Sequence, residues 1–247
     1  MIQVEPTKSI WKNRRIGITG ASGSLGMALS TELRSKGSFV IGLTHGSTTQ
    51  TFDSAKGPNK WIQWECGEER KLEEVFKGLD VLILNHGINP GGNLDLDGLN
   101  KAIEVNALSN WRLIEYFEKA LSSQTIDSTA REIWINTSEA EIQPALSPSY
   151  EISKRLIGQL VSFKNNSLTN KQKKRLIIRK IILGPFKSQL NPIGIMNANT
   201  VAGQIIQKAT SISNRLIIIS PNPLTYLIMP MVELLRSLYF QLFKEKE

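Results

Sequence analysis

The sequence predicts an α/β domain built on a doubly wound parallel sheet. Three observations predict it. Short apolar runs alternate with stretches of helical spacing along most of the chain. Several of these runs are apolar almost throughout, as strands buried on both faces are. Glycine, asparagine and hydroxyl residues stand just past the ends of the runs, where open α/β sheets bind ligands. With 247 residues, 40% hydrophobic and 21% charged, the chain has enough apolar material for a full core. No internal repeat or Pro/Gly/Ser-rich linker divides it. One domain over 14–221 is expected, after a polar leader over 1–13 and before an amphipathic, apolar tail helix over 222–247.

Arg14 to Thr19 reads as the first strand. It runs into Gly20-Ala21-Ser22-Gly23-Ser24-Leu25-Gly26, and Met27 to Leu33 follows at helical spacing. Glycines let the backbone bend and approach a pyrophosphate, and the helix that follows aims its unpaired N–H groups at the anion. A turn with helix-capping serines is the plainer alternative. Ser38 to His45 reads as the second strand, and its end bears on cofactor choice. An Asp or Glu there would accept ribose hydroxyls, but Thr44 and His45 fill the slot, with Ser47 and Thr48 beyond. No carboxylate repels a 2′-phosphate, so NADP(H) is favoured over NAD(H), although no arginine stands alongside. His45 reads equally as a solvated loop residue. Lys60 to Cys66 alternates like a strand, and Glu68 to Phe76 reads as a charged amphipathic helix. Cys66 reads as a small residue near the adenine, since no base is placed to make it a nucleophile. Asp80 to Leu84 is the fourth strand, closed by Asn85-His86-Gly87-Ile88. Asn85 and Gly87 are expected to face the same cleft as Gly20, with His86 a loop residue.

Leu99 to Leu121 reads as one long helix. Asn106 inside it is unexplained by packing: it either caps or faces solvent, or orders a water that reaches Lys154. The fifth strand ends at Ser138, and twelve residues later comes Tyr150-Glu151-Ile152-Ser153-Lys154. If Tyr150 opens a helix, Lys154 lies about a turn further on the same face. A phenol titrates near pH 10, and a neighbouring ammonium favours its ionised form. Tyr150 is then the candidate general acid/base, Lys154 its tuner, and Ser138 the holder of the reacting oxygen. Taken alone, a Tyr-x-x-x-Lys spacing is more often ordinary helix surface. A sixth strand, Leu176 to Leu183, closes at Gly184-Pro185. The stretch 186–196 reads as a mobile lid that sets the substrate. A helix over 199–210 and a strand over 215–219 follow. The tail from Pro223 to Phe243 is expected to break at Pro230. It is too interrupted to span a bilayer. It is expected to pack on its own core or a second subunit, with a membrane interface as the alternative.

The formal charge is +8, from 30 basic and 22 acidic residues. Much of the excess sits in Lys171-Gln172-Lys173-Lys174-Arg175, with Arg179 and Lys180 close behind, and reads as a solvated loop. The run lacks interleaved aromatics, so nucleic acid is not expected as a partner. Cys66 is the single cysteine, which excludes an intramolecular disulfide, and with two histidines no metal set is expected. The first residues lack the apolar core of a signal peptide. A cytoplasmic protein is expected, peripheral to a membrane if the tail lies on one.

These residues together resemble the short-chain dehydrogenase/reductase family, from about Ile16 to Ser220. Thr19 to Gly26 is similar to its cofactor loop and Asn85-His86-Gly87 to its Asn-Ala-Gly turn. Asn106, Ser138, Tyr150 and Lys154 are similar to its catalytic tetrad. The resemblance implies a Rossmann-type fold and an NAD(P)-dependent oxidoreductase that moves hydride between nicotinamide C4 and a small-molecule carbonyl or alcohol. It implies that Tyr150 moves the proton, Ser138 positions the oxygen, Lys154 holds the ribose and lowers the Tyr pKa, and Asn106 supports a relay water. The cofactor would lie among Gly20, Ser22, Gly23, Ser24, Leu25, Gly26, Thr44, His45, Cys66, Asn85, His86, Gly87, Gly184 and Ser188, with Tyr150 and Lys154. Homodimers or homotetramers are implied. So is a hydrophobic or lipid-like substrate if the tail meets a membrane, because membrane-associated members end in similar tails. Several positions depart from the pattern. The glycine spacing is that of the extended branch, although the length leaves no room for an extended substrate domain. His86 replaces an alanine and Leu84 an asparagine, Cys66 an adenine-contacting Asp, Leu183 a proline, and Ser188 a threonine. A nucleotide-binding sensor or scaffold without turnover is the alternative.

Overall fold

A computed structural model describes residues 10–46, 56–92, 94–122 and 129–242. Ser47 and Thr48 of the cofactor slot, and most of the leader, lie outside the described residues. Among the described residues seven strands form one sheet, all parallel: β1 (Arg15–Thr19), β2 (Phe39–Thr44), β3 (Lys60–Gln63), β4 (Val81–Leu84), β5 (Arg131–Ser138), β6 (Leu176–Leu183) and β7 (Leu216–Ile219). Their order is β3-β2-β1-β4-β5-β6-β7, so the winding reverses between β1 and β4. At such a reversal the connections leave to opposite sides and open a crevice at the carboxyl ends of the strands. The turns after β1 and β4 carry Gly20 and Asn85.

Alternate residues of each central strand enter two separate apolar layers. Ile16, Ile18, Val81, Ile83, Trp134 and Ile181 meet α1 (Ser24–Ser35) and α7 (Ala198–Lys208) on one face. Leu82, Leu84, Ile133, Ile135 and Ile178 meet Phe76, Phe117, Ile157 and Val161 on the other. Those four belong to α2 (Glu73–Lys77), α4 (Ser109–Ser122) and α5 (Pro148–Ser167). The period-two split explains the unbroken apolar runs, since both faces of each strand are covered. Each fully buried Leu or Ile contributes about 1.5–3 kcal/mol.

Several expectations are corrected. Within the leader, Trp11 is buried and meets Trp134 edge-on at 5.6 Å. Glu68 to Phe76 is not one helix, because a 3₁₀ turn (Glu69–Leu72) precedes α2. Leu99 to Leu121 divides into α3 (Leu96–Ile103), a π-helical segment (Glu104–Leu108) and α4. The basic loop is a short helix, α6 (Asn170–Arg175), started by a capping box in which Thr169 and Gln172 each satisfy the other's backbone N–H. Arg179 and Lys180 are not solvated. Both are buried in β6, Arg179 on Glu132 at 2.7 Å and Lys180 on Glu141 at 2.8 Å and Glu233 at 2.7 Å. Strand pairing places them in the sheet, and carboxylates on neighbouring elements make that tolerable.

The tail is one helix, α8 (Pro223–Leu242), which continues through Pro230 instead of breaking there. Proline removes one backbone donor. Side-chain bonds on both sides of Pro230, from Thr225 to Glu139 and from Arg236 to Glu141, hold the helix to the domain. Of its apolar residues Met229 is buried, whereas Leu224, Leu227, Leu234, Leu235 and Leu242 are each more than half exposed, so these five do not pack on the protein's own core, one of the two packings expected beside a second subunit. No helix among the described residues is long and apolar enough to cross a membrane.

Candidate active site

The turn after β1 fits a dinucleotide. Gly20 has φ +60°, and a Cβ there would stand 2.8 Å from His86 Cα. A Cβ on Gly26 would stand 2.4 Å from the Gly20 carbonyl oxygen, so only glycine lets α1 approach the turn. Gly23 differs: a Cβ would meet just the Gly20 oxygen, at 3.4 Å, and its outer side is open. Ser24 and Leu25 begin α1, which has no side-chain cap and no acidic residue in its first turn. Its N–H groups and positive dipole end are left to a ligand anion. Ser22 Oγ lies 3.0 Å from Thr44 Oγ1, which also accepts the Gly46 N–H at 3.2 Å. The end of β2 thus presents hydroxyls beside the turn. His45 is exposed, and its carbonyl accepts Gln63 Nε2 at 3.4 Å.

Four of the predicted residues meet beyond β4. Asn106, fully buried in the π segment, accepts the Ile88 N–H at 2.8 Å and donates to the Ile88 carbonyl and to Ser153 Oγ, both at 2.9 Å. A Cβ on Gly87 would stand 2.9 Å from Asn106 Oδ1 and 3.8 Å from Lys154 Nζ, so the chain at Gly87 passes between them. Lys154, 7% exposed, donates to the Asn136 carbonyl at 3.4 Å and lies 5.6 Å from the ring centre of Tyr150. Tyr150 is the third residue of α5, whose first turn opens on Pro148. Ser138 stands at the end of β5, two residues beyond Asn136 on the same strand face, and its Oγ accepts the Ala140 N–H at 3.2 Å. Asn106 as placed binds protein with both side-chain groups, tying the Gly87 turn to α5.

Asn136 is the residue that sequence reasoning missed. It donates to Asn85 Oδ1 at 2.8 Å, Asn85 Nδ2 donates to the Gly20 carbonyl at 3.2 Å, and the Asn136 carbonyl receives Lys154. One bonded line therefore runs from the glycine turn to the lysine. Its signal was a polar residue two positions before Ser138 in a strand buried along its whole length. The Asn136 Oδ1 and Ser149 Oγ atoms are buried without a partner among the described residues, which marks polar capacity left at the site.

His86 is not a bland loop residue. Its Nδ1 lies 2.8 Å from Thr19 Oγ1 and its ring meets Trp64 edge-on at 5.3 Å. Burial, then the charge of Lys154, lowers its pKa to about 3. Cys66 packs against the apolar layer holding Trp64 and Leu72, where burial raises its pKa and a hydrogen bond with Ser109 partly opposes that. Its neighbours Glu69 and Arg112 form an ion pair at 2.8 Å. Gly184 fits under Pro221 and Ser220, whose atoms a Cβ would meet at 2.7 and 2.8 Å. Ser188 closes a turn with Asn191, and the ends of the 186–196 stretch are fastened by a bridge between Phe186 and Met196. The span between them exposes Leu190, Ile193 and Ile195.

Residues 16–162 match the model of the NAD dependent epimerase/dehydratase family. The chain is similar to a monoglucosyldiacylglycerol epimerase of Synechocystis sp., 41% identical over 237 residues that make up 95% of this chain and 56% of that protein. It therefore spans little more than half the length of that relative. Among solved structures, a short-chain dehydrogenase from Burkholderia cenocepacia in complex with NADP superimposes with a TM-score of 0.74 at 16% identity, over 95% of this chain and 99% of that one. An aldohexose dehydrogenase from Thermoplasma acidophilum, ligand-free, gives 0.67 at 16% identity, over 86% and 94%. At such identity these likenesses speak for the fold.

Proposed function

The chain belongs to the NAD dependent epimerase/dehydratase family, of short-chain dehydrogenase/reductase type, and from that premise we propose that it epimerises one alcohol-bearing carbon of a hexose carried on a lipid. The observation that carries this reading is the convergence of Tyr150, Lys154, Gly87 and Asn106 beside the glycine turn. The glycine spacing of the extended branch agrees with the matched family. The substrate class follows the name of the Synechocystis relative, a diacylglycerol glucoside epimerase.

A bound nicotinamide supplies reversible acceptance of hydride. The phenolic oxygen of Tyr150 takes the hydroxyl proton as the sugar carbon gives up its hydrogen, and returns it when hydrogen comes back to the other face. Lys154 sets a positive charge beside that phenol, and the Asn136 carbonyl and the Gly87 turn fix its position. Ser138 hydrogen-bonds the sugar oxygen through both half-reactions. Asn106 acts as a positioning residue, holding Ile88 and Ser153 so that α5 and the turn keep their spacing. NADP(H) is preferred, because Ser22 and Thr44 put hydroxyls and no carboxylate at the end of β2. The reading includes homodimers or homotetramers and peripheral contact of the tail with a membrane.

Tyr150→Phe tests it. Turnover of a glucosyl lipid should fall by about 10²–10⁴-fold, while NADPH fluorescence titration stays unchanged. A sensor or scaffold would show no turnover in either protein, and retained turnover in the variant would remove Tyr150 from the chemistry.

A further inference from the structure

Directly after Ser138 comes a carboxylate that no cation meets. Glu132, Glu141 and Glu233 each pair with arginine or lysine. Glu139 is half-buried and has no such partner among the described residues. A carboxylate drawn partly out of water without a counter-charge is costly unless hydrogen bonds replace its hydration.

Two hydroxyls supply some of those bonds, and both reach the same oxygen. Gln143 Nε2 donates to Thr225 Oγ1 at 2.9 Å, and that hydroxyl donates to Glu139 Oε2 at 3.1 Å. The Asn222 N–H donates to Ser220 Oγ at 3.0 Å, and that hydroxyl donates to Glu139 Oε2 at 2.5 Å. Asn222 Nδ2 donates in turn to Gln143 Oε1 at 3.1 Å, which closes the ring of bonds. Each hydroxyl accepts on one side and commits its proton to Oε2, so the carboxylate is held in place as an acceptor. Its other oxygen, Oε1, has no partner among the described residues. Fastening the start of α8 uses Oε2 alone.

The place of this carboxylate gives Oε1 its use. Glu139 follows the last residue of β5 and Ser220 the last residue of β7. A Cβ on Gly184, just past β6, would stand 2.8 Å from Ser220 Oγ. The group therefore sits at the carboxyl ends of three adjacent strands, where open α/β sheets take ligands. Neighbouring residues lie about 3.8 Å apart, so an alcohol oxygen on Ser138 brings the hydroxyl of the next ring carbon towards Glu139.

We propose that Glu139 is a specificity-determining residue whose Oε1 accepts a hydrogen bond from the hexose hydroxyl next to the one held by Ser138. The sugar is thereby turned so that one ring carbon faces the nicotinamide. Bonds from a hydroxyl to an ionised carboxylate are short and strong. A simple alcohol has nothing to offer Oε1, so the residue selects substrates with adjacent hydroxyls. The inference rests on the hexose substrate proposed above.

Calorimetric titration of the NADPH-loaded full chain tests it, with octyl glucoside and with octyl glucosides that each lack one ring hydroxyl. The wild type should bind one deoxy glucoside about tenfold or more weakly than the parent. Glu139→Gln should bind the parent about tenfold more weakly than the wild type does. It should bind that one deoxy glucoside within about twofold of the wild type, because a contact already absent cannot be lost again. Glu139→Asp keeps the charge and withdraws it by one methylene, and should erase the same preference; it carries the test if the glutamine variant fails to fold. Circular dichroism and NADPH binding should be unchanged in both. Variants that weaken every glucoside alike, as a loosened α8 would, or that weaken none, would overturn the role of Glu139. So would a wild type that binds no glucoside. Binding with the expected pattern but without turnover upholds Glu139 and defeats the epimerase reaction, whereas turnover whose preference among deoxy glucosides ignores Glu139 defeats this inference alone.

Discussion

The imidazole of His86 is the most perturbed histidine in the site, and its cause is legible atom by atom. Burial lowers its pKa to about 3 and Lys154 adds to this, while Glu69 and the Val105 carbonyl only partly oppose. The unfolded chain takes up this proton near pH 6.5 and the folded one not until about 3. Between those values the unfolded state holds more protons. The stability is therefore fully present above pH 6.5 and is lost as pH falls, at about 1.4 kcal/mol per unit. Glu69 behaves in the same direction lower down. Burial would raise its pKa, but Arg112 and Ser109 hold it to about 2, so its contribution is lost as pH falls from about 4.5 towards 2. From pH 6.5 to 5 His86 acts without Glu69. Urea unfolding of His86→Ala should lose about 2 kcal/mol of the wild type's pH dependence over that window; an unchanged slope would show that the ring is not kept neutral by the fold.

At the scale of elements, the attachment of α8 is decided by one missing side chain. A Cβ on Gly158 would stand 1.9 Å from Glu141 Oε2, so glycine in α5 makes room for that carboxylate. Glu141 then pairs with Lys180 and Arg236, each of which also pairs with Glu233. Two cations and two carboxylates balance, with Gly158 O and Ser162 Oγ also bound to Lys180. Gly158→Ala should push Glu141 out and leave Lys180 underpaired in the interior, a loss of about 3–5 kcal/mol. Equilibrium denaturation measures it, and a change under about 1 kcal/mol would mean the network rearranges freely. The same ties reach Ser138 through Glu139, whose Oε2 accepts Ser220 Oγ and Thr225 Oγ1.

At the scale of the molecule, the reversal of strand order between β1 and β4 assembles the site. It sets the end of β2, the turn after β1 and the turn after β4 around one crevice, so a change at any of the three should alter the same ligand. Thr44→Asp places a carboxylate where a 2′-phosphate is proposed to lie. Repulsion should weaken NADPH about tenfold or more and spare NADH. Paired fluorescence titrations check this, and parallel loss of both nucleotides would mean that Thr44 serves the fold and not the choice of cofactor.

The sequence by itself determined the parallel sheet, its turn of glycines and the set Asn106, Ser138, Tyr150 and Lys154 as candidates. Strand periodicity, glycine placement and the Tyr150-to-Lys154 helix spacing are local properties, written within a few residues of one another, and the family resemblance joined Asn106 and Ser138 to that pair. Tertiary structure alone decided the rest. Asn136 joins Asn85 and Lys154 across 51 and 18 residues of chain. The π segment that buries Asn106 follows from what packs around it. Arg179 and Lys180 read as surface charges until strands from distant segments brought Glu132, Glu141 and Glu233 to them. The tail's spacing gave its amphipathicity but not its orientation. Which face of a helix turns inward depends on the partners it meets, and for α8 those partners are buried charges.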